Sequence, residues 1–139
     1  MPTRSRTCFI ALAAARDGGV WIATDGGLDR WDPHRESISP VSLTLENGES
    51  ATARLFTVLE DTQGNLWVGG NLGLAVRRAG RNTFERATSK YESGKRILAG
   101  ECWSLREDDK GRNWFGTGAS GVAYATPDGV VTCPAALAE

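Results

Sequence analysis

The chain has one histidine, one methionine and no pair of cysteines spaced C-x-x-C. The last absence removes zinc ribbons and thioredoxin-type redox sites. Cys8, Cys102 and Cys133 stand far apart; they read as reduced, partly buried thiols, with a Cys102–Cys133 bridge as the alternative. No apolar run approaches the ~18–20 residues of a membrane helix, so no membrane segment is expected within these residues. Neither charge sign dominates: 16 basic and 17 acidic residues are interspersed and leave a formal net charge of −1. Without a basic stripe, the electrostatic footprint of a nucleic-acid partner is missing. No G-x-S-x-G, H-E-x-x-H or P-loop sequence occurs. His34 follows Asp32-Pro33 in a turn sequence, a place for a solvent-exposed side chain and not for a base or ligand. Asp61–Asn65 lacks the alternating carboxylates and distal Glu of a calcium loop. The expectation is therefore no catalytic residue, no cofactor and no bound metal.

What the chain does have is 17 glycines and five tryptophans among 139 residues, with 40% apolar and 24% charged content. That is the profile of a folded protein of short strands and turns. The apolar periodicity is two throughout, and no stretch reads as a helix. One stretch recurs three times: Phe9–Thr24 (FIALAAARDGGVWIAT), Leu55–Gly70 (LFTVLEDTQGNLWVGG) and Cys102–Thr117 (CWSLREDDKGRNWFGT). Aligned on Trp21, Trp67 and Trp114, the copies lie 46 and 47 residues apart, each with a glycine three residues earlier (Gly18, Gly64, Gly111). Large apolar residues occupy the eleventh place before the tryptophan (Ile10, Phe56, Trp103) and the ninth (Leu12, Val58, Leu105), with a small residue between them. Each copy reads as strands A and B joined by a tight turn, with glycine supplying the left-handed residue that a Cβ penalises. Asp61 and Asp108 stand where strand A ends and accept turn amides. Small residues two places after the tryptophan (Ala23, Gly69, Gly116) leave room for a neighbouring sheet.

Two further strands complete each unit. In the first, C spans Leu28–Trp31 and D lies around Ser37–Ser39. In the second, C is about Leu74–Arg78 and D about Thr83–Arg86. In the third, C is Gly121–Ala125 and D is Val130–Cys133. The units cover about residues 8–40, 54–88 and 101–134, after a tail at 1–7. Arg4 and Arg6 followed by an apolar run ending in three alanines also resemble a secretory signal, but cleavage there would remove half of the first hairpin. A unit of ~45 residues cannot bury its tryptophan alone, so the units must wedge against each other.

Four short strands per ~40–50 residues is the signature of propeller blades. The pattern E-D-x-x-G-x-L/N-W-φ-G-T/G, continuing into D-G-G-L-D-R-W-D-P, resembles the two-component-regulator propeller repeat. Glu60-Asp61 with Gly64–Gly69 carries its first half, and Trp21–Pro33 its second. The first repeat departs from it with Ala14-Ala15 in place of Glu-Asp. The second has Gly70 for Thr and no D-P turn, and the third has Asn113 in an apolar slot. The resemblance implies an all-β fold of β-propeller type, three four-stranded antiparallel blades forming an incomplete ring, since rings of that family hold about seven. It also implies a periplasmic sensor segment of a bacterial signal-transduction regulator, without its own kinase or cyclase output. A protein-interaction platform and a stand-alone carbohydrate-type binding module are the alternatives. The expected partners are a small molecule or oligosaccharide, and other propeller blades. Ligands are expected on the B–C turns (Asp25–Gly26, Asn71–Leu72, Gly118–Ser120) and the D–A connections, with no particular ligand-binding residue assigned. Two open end faces predict self-association through the terminal blades.

Overall fold

A computed structural model of the chain describes residues 9–48, 54–71, 73–88, 98, 100–117, 121–125 and 131–132. These form twelve strands: β1 (Phe9–Ala14), β2 (Val20–Thr24), β3 (Gly27–Asp32), β4 (Ser37–Val41), β5 (Leu55–Glu60), β6 (Leu66–Gly70), β7 (Gly73–Arg77), β8 (Glu85–Arg86), β9 (Cys102–Glu107), β10 (Asn113–Thr117), β11 (Gly121–Ala125) and β12 (Val131–Thr132). They make three four-stranded sheets, each antiparallel and each in chain order: β1 to β4, β5 to β8, and β9 to β12. The strands labelled A from the sequence, β1, β5 and β9, lie against one another from sheet to sheet. The fold is thus three propeller blades in an open arc, as the repeats imply.

The A–B hairpin is built the same way three times. Ala15, Asp61 and Asp108 each donate their N–H to the carbonyl of the residue four places on, while the intervening glycine donates back to their own carbonyl. Those glycines have φ of 97°, 85° and 80° at Gly18, Gly64 and Gly111, the left-handed region where a side chain is strained. The pairing slips once in every A strand, between Phe9 and Ala11, Leu55 and Thr57, and Cys102 and Ser104. The residue passed over is Ile10, Phe56 or Trp103, so a β-bulge recurs with the repeat.

Alternation along the strands sends the two faces of each blade to opposite neighbours. The forward face of blade one, with Trp21, Ala23 and Leu28, packs on Leu55, Val58, Leu66 and Val68 of blade two. The forward face of blade two, with Trp67, Leu74 and Val76, packs on Cys102, Phe115, Ala123 and Ala125 of blade three. These two seams are the core. Gly69 shows how tight they are: a Cβ there would lie 2.5 Å from the Cys102 sulfur across the seam. The space beside Gly69 is therefore filled by the Cys102 side chain of the next blade, not by its backbone. Cys102 is a buried free thiol. Cys133 and the tail at 1–7 lie outside the described residues.

Strand D of blade two is shorter than the sequence suggests. Phe84 donates to the Thr44 carbonyl and accepts from the Glu46 amide, so the chain linking the first two blades takes its backbone groups in a parallel bridge at Leu45. Phe84 thus serves that connection, and only Glu85–Arg86 remain in the blade. In the connection to blade three, Leu98 has helical backbone where no helix is expected.

Candidate functional site

The polar chemistry of this chain gathers where the A–B turns meet at the blade seams. In blade two, Asp61 is buried and its carboxylate is saturated. Oδ1 accepts from the backbone N–H of Gln63 and Asn65, both at 2.9 Å. Oδ2 accepts from the Trp67 indole at 2.9 Å, from Asn65 Nδ2 at 3.2 Å and from Asn113 Nδ2 of blade three at 3.0 Å. The turn role of this aspartate was legible in the sequence; its grip on the tryptophan and on the next blade was not. Asn113, the polar residue in an apolar slot, finds its partner here. Asn65 also accepts from the Ala79 amide at 3.0 Å, tying the A–B turn to the far side of its own blade.

Blade three repeats the arrangement at an open edge. Asp108 accepts from the Trp114 indole at 2.8 Å, from the Arg112 side chain at 2.7 Å, and from the Lys110 and Arg112 amides. The bond from Trp114, followed by those from Arg112 and Lys110, holds this carboxyl well below the usual range. A carboxyl depressed by folding contributes stability that is present above its unfolded value near 3.8 and lost as pH falls through its lower folded value. Thermal melting points should therefore drop as pH is lowered below about that ordinary carboxylate value. Asp108→Asn should flatten this part of the profile relative to the wild type; identical slopes would contradict the assignment.

Blade one has Ala15 where the others have aspartate, and the Trp21 indole turns to the neighbour instead, donating to Glu60 Oε1 at 2.8 Å. Glu60 also accepts from the Arg16 amide at 3.1 Å. One seam further on, Glu107 accepts from the Thr62 amide at 3.1 Å and from its hydroxyl at 2.7 Å. Arg16 and Thr62 hold equivalent places, as do Glu60 and Glu107. The last residue of strand A thus reaches back to clasp the turn of the preceding blade. Ala14 stands in that place in blade one, so the clasp has a direction and stops there.

The first seam carries a cleft of about 450 Å³, lined by Arg16, Asp17, Trp21, Arg30, Val41, Glu60 and Arg77. The guanidinium carbons of Arg30 and Arg77 lie 5.1 and 5.5 Å from the centre of the Trp21 ring. Arg30 pairs with Asp17. A second feature lies along the A strands, where the bulged residues Phe56 and Trp103 stack with ring centres 4.2 Å apart and planes 8° from parallel. Trp103 is half exposed. Neither feature involves the B–C turns where the sequence led us to expect a ligand. There, Thr24 accepts from Gly26 and donates to the Gly27 carbonyl, and Asn71 exchanges bonds with Arg54; residues 72 and 118–120 lie outside the described set. His34 is exposed, and its amide donates to Asp32 Oδ1 in a closed turn. Among the described residues, no group of three or more His, Cys, Asp or Glu is arranged to hold a metal.

Blade order, sheet topology and interblade tryptophans define an all-β propeller-type repeat protein. In sequence, residues 49–71 match the family model described as two component regulator propeller. No curated protein matches the chain. Among solved structures it is similar to the extracellular domain of the hybrid two component system BT4673 from B. thetaiotaomicron, with a TM-score of 0.71 and 22% identity over 92% of this chain. It is also similar to the corresponding domain of BT3049 from the same organism, with a TM-score of 0.66 and 20% identity over 89% of this chain. The chain spans 18% and 16% of the lengths of those two extracellular-domain chains. A streptogramin B lyase shares the fold with a TM-score of 0.61 and 14% identity, over 91% of this chain and 40% of that one.

Proposed function

We propose that these three blades are a ligand-sensing segment of an extracytoplasmic bacterial signal-transduction regulator, acting by binding and not by catalysis. The observation that carries this reading is the recurrence, in register, of the two-component-regulator propeller repeat, with residues 49–71 matching its family model. Likeness to the extracellular domains of two-component systems supports it and favours a place outside the cytoplasm. Enzymes also use this fold, as the streptogramin B lyase shows. Binding is the better reading because the one histidine sits exposed in a turn and the in-register aspartates are consumed by turns and tryptophans.

The forward face of blade three, with half-buried Trp114 and exposed Val122, repeats the surface that blades one and two bury. Another blade is the natural occupant. A head-to-tail contact with a second copy would place Ala14 where Glu60 and Glu107 stand, and would form without the carboxylate clasp. Sequencing outward from both ends of the coding segment tests the regulator reading. Further repeats, a membrane segment and a kinase or cyclase in the same frame are expected. A frame without such an output, joined instead to a hydrolase or lyase, would overturn it.

A further inference from the structure

The two seams differ at one pair of positions. Around Trp67 in the second seam, the flanking places are Val76 on the same blade and Ala125 on the next, both fully buried and apolar. In the first seam the same two places hold Arg30 and Arg77. Apolar closure is therefore available to this repeat, and the first seam departs from it with two guanidinium groups around one indole. Three guanidinium groups against two carboxylates line the resulting cleft, whose size falls in the range of small-molecule sites.

The carboxylates are already engaged. Asp17 takes the Gly19 amide and the Arg30 side chain, and Glu60 takes the Trp21 indole and the Arg16 amide. Arg77, half-buried, lies over the rings of Trp21 and Phe84, and its guanidinium makes no hydrogen bond or ion pair within the described residues. Burial lowers its ordinary value, Glu60 opposes the shift and Arg30 adds to it. Its five donors form a planar fork suited to a two-oxygen acceptor.

We infer that the cleft at the first blade seam is a binding site for a small oxyanion, a carboxylate or phosphate group, held between Arg30 and Arg77 on the wall formed by Trp21. The site stands apart from the sensor reading: loss of one leaves the other intact.

The test follows the Trp21 indole N–H resonance by NMR in the full chain, assigned with Trp21→Phe, during titration with inorganic phosphate, with glucuronate and with chloride at matched ionic strength. A saturable shift with phosphate alone points to a phosphate ligand, with glucuronate alone to a carboxylate. Either supports the site, provided that chloride gives none. Arg77→Ala, which copies the second seam, is expected to weaken the response at least ~10-fold, about 1.4 kcal/mol, while the wild-type melting point without ligand is kept. If that variant does not fold, Arg77→Lys serves, with weaker binding expected from loss of the fork. No saturable shift with either oxyanion, or an affinity unchanged by these variants, would overturn the proposal. So would a response to all three anions alike.

Discussion

Truncating Trp67 to alanine should remove about 3–5 kcal/mol of folding free energy, a large part of the ~5–15 kcal/mol typical of a whole domain. The ring is 1% exposed and fills the second seam. Its loss opens a cavity and leaves Asp61 Oδ2 without its indole donor. Trp114→Ala removes the equivalent residue from the open face of blade three, where the ring is only part-buried and rests on Tyr124. That change should cost about 1–2 kcal/mol. Urea unfolding followed by circular dichroism gives both numbers. Equal losses would mean that the second seam is no more closed than the free face.

Asp61→Ala is the second large effect, for a different reason. The carboxylate organises one turn and one seam together, and its removal strands buried donors on Trp67, Asn65 and Asn113. Each orphaned buried donor costs roughly 1–3 kcal/mol, and because the three share one site their sum is not simply additive. A loss of about 3–5 kcal/mol is expected. The cause is separable. Asn113 Oδ1 is buried without a partner among the described residues, and the other repeats carry Val20 and Leu66 in its place. Adding Asn113→Val to Asp61→Ala should therefore restore part of the loss, while Asn113→Val alone should not stabilise by as much. Strict additivity in this double-mutant cycle would show that the cross-blade bond carries no coupling.

The blade plan was legible because it is written three times. Tryptophan, glycine and alternating apolar residues in register require strands, hairpins and stacked sheets, and they also named the residues that wedge the seams. What escaped was the hydrogen bonding created between repeats. Ala15 lacks the carboxylate that Asp61 and Asp108 offer their own tryptophans, and the Trp21 indole reaches Glu60 instead. Asn113, polar in an apolar slot, bonds Asp61 of the preceding blade. Strand periodicity ran through Thr83–Phe84, but could not show that residues 44–46 compete for the backbone groups of Phe84. Arg30 and Arg77 lie 47 positions apart in the numbering and meet only because their blades are neighbours. A signal was present all the same: aligned to the other repeats, Arg30 stands where they carry Val76 and Tyr124, and Arg77 where they carry Trp31 and Ala125, uncharged side chains in every case.

The three blades close two seams and leave the forward face of blade three open, and hydrogen exchange of the three repeat indole N–H groups tests this arrangement most directly. Trp67, buried and bonded to Asp61, should exchange slowest, followed by Trp21 bonded to Glu60, with Trp114 fastest despite its bond to Asp108. Slow exchange at Trp114, matching that of Trp67, or rapid exchange at Trp67, would contradict it.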